Sequence, residues 1–129
     1  MKNPKITEWA GKRVWLVGAS SGIGAALAGE LARRGAHVAL SARNADKLRD
    51  LAIDGALLLP CDATSAAGLA VARERLLAAW GRVDLVIYLA GDYVPMRAAN
   101  FDLAAAEKVV SVNFNGAMRL VATVLPDLH

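Results

Sequence analysis

Apolar positions along the chain fall into two alternating patterns. Four short runs are almost continuously apolar, as in strands buried on both faces of a parallel sheet: RVWLV (13–17), HVALS (37–41), ALLLP (56–60) and VDLVIYLA (83–90). The segments between and after them repeat apolar residues every three or four positions, which predicts helices. The alternation predicts an α/β fold, a doubly wound parallel sheet (Rossmann-like) with right-handed crossovers and strand order 3-2-1-4.

Each predicted helix carries an apolar stripe that we expect to face the sheet. The last helix, from about Asp102 to Leu125, is long, and Thr64 or Ser65 is expected to cap the helix that follows the third strand. The four stripes, in chain order, are Ile23, Leu27 and Leu31; Leu48, Leu51 and Ala52; Leu69, Ala72, Leu76, Ala79 and Trp80; and Leu103, Ala106, Val110, Phe114, Ala117, Val121 and Leu125.

Length, net charge and cysteine count exclude several classes of protein but do not indicate an activity. The 129 residues contain no linker or repeat, so residues 1–129 are predicted to be one unit. A net charge of +3 is too small for the clustered basic face of a nucleic-acid-binding protein. Cys61, the one cysteine, excludes an internal disulfide and a cysteine-based metal site. No apolar run approaches a bilayer-spanning length and no secretory signal opens the sequence, so we expect no membrane partner and a cytoplasmic location.

The stretch GASSGIG (18–24) lies where the first strand gives way to the first helix. Gly18 permits a sharp exit from the strand, Gly22 permits close approach of a pyrophosphate, and Gly24 permits tight packing of the helix on the strand. The hydroxyls of Ser20 and Ser21 and the free amides of the helix start, including that of Ile23, can bind an anion. A plain glycine turn with no ligand is the alternative.

Several further motifs follow this turn in a familiar order. They are CDAT at 61–64, LAG at 89–91, VNFNG at 112–116 and VLPDL near the end. With GASSGIG they resemble the short-chain dehydrogenase/reductase family. The resemblance implies an oxidoreductase that transfers a hydride between a nicotinamide and a small-molecule carbonyl or alcohol substrate. It also implies a homo-oligomer, because the long helix helps to build the family's subunit interface.

The resemblance assigns roles to residues after the later strands. Asp62, with Ala63 beside it, would contact the adenine ring; a helix cap is the alternative for Asp62. Ala90 and Gly91 would let the cofactor approach the backbone. Tyr88 and Leu89 replace the asparagines usual in the family, which removes side-chain hydrogen bonds that brace the sheet.

Asn113 would kink the long helix and hold a water in the family's proton relay. Since it lies on the apolar stripe, a buried structural amide is the alternative. The family's catalytic serine and its Tyr-x-x-x-Lys motif lie further along than His129. Neither Tyr88 nor Tyr93 has a lysine four residues on. The resemblance therefore implies the cofactor-binding half of an enzyme, inactive by itself; a non-catalytic nucleotide-binding or interaction module is the alternative.

The second strand ends in Ser41, Ala42 and Arg43, with no acid to bind the ribose hydroxyls of NAD. Arg43 can instead pair with a 2′-phosphate, and Ser41 is a further candidate contact. We therefore expect NADP(H) as the cofactor. A solvated arginine with no ligand is the alternative.

Overall fold

The computed structural model describes residues 4–91 and 93–128 and contains a four-stranded parallel sheet. The strands are β1 (Arg13–Val17), β2 (His37–Ser41), β3 (Leu57–Leu58) and β4 (Leu85–Tyr88), in the order β3-β2-β1-β4. The predicted fold class and strand order are confirmed. β1 and β2 have the predicted bounds, whereas β3 and β4 are shorter than their apolar runs.

Hydrogen bonding between β2 and the edge segment continues past the last residue of β3. Leu59 and Cys61 still donate backbone hydrogen bonds to Leu40 and Ala42, at 2.8 and 3.1 Å. Pro60 lies between them and has no N–H to donate. An edge strand tolerates proline at a position whose backbone nitrogen faces away from its neighbour.

Helices cover both faces of the sheet. Alternate side chains of β1 point to opposite faces and therefore pack against different helices. Trp15 and Val17 pack in one cluster with α3 (Ala66–Trp80) and α5 (Gly116–Val124). Val14 and Leu16 pack in the other cluster with α1 (Gly22–Arg33) and α2 (Ala45–Asp50). The first four residues after Arg13 are therefore the centre of the core.

The buried face of α1 agrees with the predicted stripe at Leu31, and Leu27 packs against the core, but the prediction for Ile23 is wrong. Ile23 is 78% exposed, and the buried residues are Gly24, Ala28 and Leu31. Small residues face the sheet here because the helix packs close to the first strand. Periodicity of large apolar residues could not show a contact made by glycine and alanine.

Smaller corrections concern α2 and α3. Ala52 lies beyond the end of α2, is exposed and has a φ of +50°. In α3, Leu69, Ala72 and Leu76 are buried as expected, but Ala79 is exposed. Ser65 is the N-cap, because its hydroxyl accepts a 3.0 Å hydrogen bond from the backbone N–H of Gly68.

The long last helix is present but consists of three parts. α4 (Leu103–Val110) and α5 are joined by a π-helical segment, Ser111–Asn115. Short 3₁₀ turns lie before and after them, at Ala98–Asn100 and Leu125–Asp127. Arg73 of α3 donates hydrogen bonds of 2.5 and 2.7 Å to both carboxylate oxygens of Asp127 and so fixes the end of this helix.

The apolar stripe predicted for the long helix faces outward. Its large members are 51–62% exposed, namely Leu103, Val110, Phe114, Val121 and Leu125. The buried side of α5 is instead Gly116, Leu120 and Val124. Both faces are apolar, so periodicity could not select the one that packs on the sheet.

The sequence expectation about membrane-spanning length also needs correction. The helical stretch Leu103–Asp127 has 25 residues and a mean hydropathy of 1.2 in its most apolar window, enough to cross a bilayer by length and composition alone. One side of α5 nevertheless packs against α3 and β4 in the manner of an α/β core helix. Length and composition are weak grounds for a membrane span.

Candidate functional site

A cleft of about 330 Å³ opens at the carboxyl ends of the four strands. In a doubly wound sheet this is the edge where ligands bind, at the point where the strand order reverses. Eight of the predicted cofactor-binding residues line this cleft: Gly18, Ser20, Ser21, Arg43, Asp62, Ala63, Ala90 and Gly91.

The other predicted contacts lie just outside this lining. Gly22, Ile23 and Gly24 form the first turn of α1, and Ile23 points its side chain into solvent. The backbone amides of this turn are the groups that a ligand could use, not the isoleucine side chain.

At two glycines of the turn, backbone atoms of neighbouring residues leave no space for a Cβ. Gly18 has a φ of +94°, and a Cβ there would overlap the backbone of Ala90. A Cβ on Gly24 would lie 2.5 Å from the carbonyl oxygen of Gly18. Gly22, at a φ of +58°, has open space around its Cβ position. The first and third glycines therefore bring the turn, the last strand and the helix into close contact, while the second bends the chain beside open space.

The amides of the turn divide into two groups. Those of Gly18 and Ala19 donate to the carbonyl oxygen of Ser41, at 2.7 and 3.2 Å. The first amides of α1 have no acceptor within the helix, as at any helix start. Ser21 is the N-cap of α1, and its side chain makes no capping hydrogen bond.

Other helix starts in residues 4–91 and 93–128 are satisfied by side chains. Asn44, Ser65 and Asp102 cap α2, α3 and α4 by accepting hydrogen bonds from backbone amides. Of the α-helices that begin after a loop in this part of the chain, α1 is the uncapped one. Its start adjoins the cleft, so its amides and partial positive charge are left for an anion.

Ser41 does not place its side chain in the cleft. The residue is fully buried, and its hydroxyl oxygen accepts a 2.8 Å hydrogen bond from the indole nitrogen of Trp15. Ser41 is therefore not among the residues that line the cleft, and its side chain has a partner inside the protein. Its contribution is structural, since its carbonyl fixes the start of the glycine turn.

Asp62 faces the cleft and does not cap α3. Its carboxylate accepts hydrogen bonds from the backbone N–H and the hydroxyl of Thr64, at 2.9 and 2.7 Å. These two bonds, with the more distant charges of Arg43 and Arg119, hold its pKa below the usual 3.8. Asp62 is therefore an ionised acceptor at neutral pH, able to bind an amino group.

Cys61, beside Asp62, also lines the cleft and is half-buried. Desolvation by burial raises the pKa of its thiol, and the neighbouring charge of Asp62 raises it further, against a hydrogen bond with Ser41. The thiol is therefore protonated and weakly nucleophilic at neutral pH.

A second cation joins Arg43 at the lip of the cleft. Arg43, Asn44 and Lys47 all line it, and Asn44 caps α2 by accepting a 3.1 Å hydrogen bond from the amide of Lys47. Lys47 was missed in the sequence, although a lysine three residues into a helix that starts at the lip could have indicated it. Other lining residues that sequence reasoning missed are Val17, Ala42, Thr64, Leu89 and Val112.

Asn113 lies in the π-helical segment and is exposed, so the alternative of a buried structural amide is wrong. Its side-chain oxygen lies 3.6 Å from the position a Cβ would take on Gly91 at the mouth of the cleft. The resemblance implied a kink at Asn113, and a π-helical turn is the irregularity found there.

Tyr88 keeps a brace between strand and helix despite the missing asparagines. Its hydroxyl donates a hydrogen bond to the backbone carbonyl of Val112. The expected loss of side-chain hydrogen bonding at this strand end is therefore wrong in part. The phenol reaches an acceptor on the long helix.

Comparison with known proteins decides the family. The model of the short chain dehydrogenase family matches residues 12–129. The chain belongs to this family. The resemblance noted from GASSGIG, CDAT, LAG and VNFNG is thus confirmed, and a general oxidoreductase role is supported.

Two relatives and one solved structure illustrate the similarity. The chain is 37% identical to the glycine betaine reductase of Emericella nidulans, over 92% of this chain and 10% of that protein. It is 35% identical to a fatty acyl-CoA reductase of Acinetobacter baylyi, over 92% and 43%. A 3-ketoacyl-(acyl-carrier-protein) reductase from Brucella melitensis complexed with NADH superposes with a TM-score of 0.85 at 26% identity, over 92% of this chain and 50% of that one. The chain therefore spans half or less of these proteins.

Proposed function

We propose that residues 1–129 are the dinucleotide-binding part of an NADP(H)-dependent oxidoreductase. The observation that carries this proposal is the uncapped start of α1, which adjoins the cleft at a glycine, Gly22, with open space around its Cβ position. Amides at a helix start without a side-chain cap attract an anion, and the open space at Gly22 leaves room for one. A diphosphate bridge fits both features, whereas a purely structural turn requires neither an open helix start nor a cleft.

We assign the residues at the cleft to successive parts of a dinucleotide. Amides and hydroxyls from Ser20 to Ile23 would hold the diphosphate. The ionised Asp62 would accept a hydrogen bond from the adenine amino group, with Ala63 beside it. Ala90 and Gly91, which present no large side chain, would let the cofactor lie against the end of β4.

The cationic lip favours a cofactor with a 2′-phosphate. Arg43 and Lys47 both line the cleft, and no acid ends β2. A charge-assisted hydrogen bond contributes about 1.5–3 kcal/mol, equivalent to about 10- to 100-fold in affinity. The similar Brucella reductase was solved with NADH, so nucleotide preference is the property to measure.

When bound, the nicotinamide would supply a hydride to a carbonyl carbon or accept one from an alcohol carbon. The chain's contribution would be to hold and orient the dinucleotide and to present Asn113 at the cleft mouth, where it would hold a water of the proton relay. No Tyr-x-x-x-Lys occurs in the 129 residues. We therefore expect the isolated 129 residues to bind nucleotide without turnover. A non-catalytic nucleotide-binding or interaction module is the second candidate.

The proposed substrate is a small-molecule carbonyl or alcohol, with no nucleic acid or membrane as partner. The outward apolar face of α4 and α5 favours a homo-oligomer, because exposed patches of this kind mark interfaces. The proposed location is the cytoplasm. Sedimentation that finds a monomer at all concentrations would contradict the homo-oligomer, and cell fractionation tests the location.

Calorimetric titration of the 129-residue chain with NADP⁺ and NAD⁺ tests the proposed cofactor. We expect NADP⁺ to bind about 10- to 100-fold more tightly. Arg43→Ala should abolish that preference with little effect on NAD⁺ affinity, and Lys47→Ala should reduce it. Arg49→Ala is the matched control: this exposed arginine pairs with Asp46 outside the cleft and should leave both affinities unchanged. Binding of neither nucleotide would refute the proposal.

A further inference from the structure

Tyr88 connects the last strand to the π-helical segment of the long helix. It is the final residue of β4, and its hydroxyl donates to the carbonyl of Val112, 24 positions along the chain. Burial raises the pKa of the phenol above its usual 10.0, so the hydroxyl carries its proton at neutral pH and can serve as the donor. The bond crosses from the sheet edge to the helix beside the cleft.

Gly116 provides the space that this phenol occupies. A Cβ on Gly116 would overlap the Tyr88 hydroxyl and lie 3.1 Å from the ring carbon that bears it. It would also lie 3.4 Å from the carbonyl oxygen of Ala63, a residue of the cleft wall. Tyr88 and Gly116 are therefore complementary: the hydroxyl reaches Val112 because the buried position opposite has no side chain.

The bonded residue is itself part of the cleft. Val112 lines it, and the next residue, Asn113, places its side-chain oxygen near Gly91 at the mouth. One hydrogen bond thus fixes the backbone from which two consecutive residues reach the site. We propose that Tyr88 is a positioning residue, which sets the Val112 wall and the Asn113 amide through its bond to the Val112 carbonyl. The proposal rests on the nucleotide-binding function for its affinity readout.

Tyr88→Phe in the 129-residue chain removes the hydroxyl and keeps the ring. We expect NADP⁺ and NAD⁺ affinities to fall equally, by about 3- to 10-fold, as for loss of one hydrogen bond. Gly116→Ala, which displaces the phenol, should have a similar effect. The double variant should lose less affinity than the sum of the two single losses, because Tyr88→Phe removes the hydroxyl oxygen that the methyl added by Gly116→Ala would overlap. Thr123→Val is the control. The hydroxyl of Thr123 also donates a hydrogen bond to a helix carbonyl, that of Arg119 at 2.7 Å, but neither residue lines the cleft.

A purely structural role for Tyr88 makes a different prediction. It would lower the melting temperature and leave the affinity unchanged in the cold, where every variant is folded by circular dichroism. The side-chain amide NMR signals of Asn113 give a readout that needs no nucleotide. They should shift in Tyr88→Phe and Gly116→Ala but stay in place in Thr123→Val.

Unchanged Asn113 signals in both variants, or fully additive losses of affinity, would overturn the positioning role. If wild type bound no nucleotide, the function proposed above would fail, while the NMR comparison would still decide for or against the Tyr88 contact. If Tyr88→Phe did not fold, Gly116→Ala would carry the same comparison with the tyrosine intact.

Discussion

Replacing Gly18 by alanine is expected to destabilise the protein by about 2–5 kcal/mol. A φ of +94° suits glycine, and a residue with a Cβ is strained there by about 1–2 kcal/mol. The added methyl would also lie 2.6 Å from the Cα of Ala90 and 2.7 Å from the carbonyl carbon of Leu89. Because these are backbone atoms of the neighbouring strand end, relieving the overlap should cost a further 1–3 kcal/mol or so, as for an overpacked core, about the same size as the strain.

Three other glycines separate the two costs. Gly22→Ala has only the conformational cost, about 1–2 kcal/mol, because its φ is +58° and no atom lies near its Cβ position. Gly24→Ala has only the overlap, about 1–3 kcal/mol, partly offset by about 0.5–1 kcal/mol of helix propensity. Gly29, inside α1 with open space around it, has neither, so Gly29→Ala should stabilise by about 0.5–1 kcal/mol.

Urea unfolding followed by far-ultraviolet circular dichroism measures the four free energies by linear extrapolation. Gly18→Ala should be the least stable of the set, and a variant without helical signal in buffer would meet that expectation. The reasoning would be refuted if Gly18→Ala unfolded within about 1 kcal/mol of Gly29→Ala, a difference typical of an ordinary surface substitution. Such a result would mean that β4 and the turn are not in contact as described.

Three further predictions concern side chains around the cleft. The pKa of Asp62 is lower in the folded than in the unfolded protein, so the carboxylate stabilises the fold at pH values above its unfolded pKa. That stabilisation is lost as the pH falls through the folded pKa. In urea titrations the difference in unfolding free energy between wild type and Asp62→Asn should be constant down to about pH 5 and should shrink progressively below about pH 4. The thiol of Cys61 should react slowly with a chromogenic disulfide at pH 7–8 or so, and saturating nucleotide should slow it further; equal rates would place the ligand elsewhere. Ser65→Ala should cost about 1 kcal/mol through loss of the α3 cap, whereas Thr64→Val should leave that cap intact, and the reverse order would contradict the assigned N-cap.

The sheet was predictable because its signal is local. RVWLV and HVALS are apolar without interruption, and both strands have the predicted bounds. The glycine turn was also readable, since a backbone at positive φ and a close strand contact both require glycine. β3 was overestimated because an apolar run does not show where the edge ladder stops.

Periodicity predicted the buried face of α3 but not the full contact of α1 or the buried face of the long helix. In α1 the contact with the sheet is made by Gly24 and Ala28, which a search for large apolar residues overlooks. In the long helix both faces are apolar, and only the packing of the whole chain decides between Phe114 and Leu120. Hydrophobicity indicates that a face can be buried; it does not indicate which of two candidates has a partner.

Contacts across the sheet also lay beyond the sequence. Ser41 is the last residue of β2, where ligand-binding residues are expected, yet its hydroxyl oxygen accepts a hydrogen bond from the indole N–H of Trp15. Tyr88 marks a departure from the family pattern, and its acceptor lies 24 residues away. Pairings at such separations depend on the register of strands and helices, which no local pattern contains.

The hydrogen bond between Trp15 and Ser41 makes the fluorescence of Trp15 a reporter of the glycine turn. The indole is shielded from solvent, while the same serine holds the first amides of the glycine turn through its carbonyl. Dissolved acrylamide can collide with the partly exposed Trp9 and Trp80 but cannot reach Trp15. The tryptophan fluorescence that remains in the presence of acrylamide therefore comes from Trp15, beneath the cleft. A change in the conformation of the glycine turn would be measured as a shift in the emission wavelength of Trp15, without any attached dye.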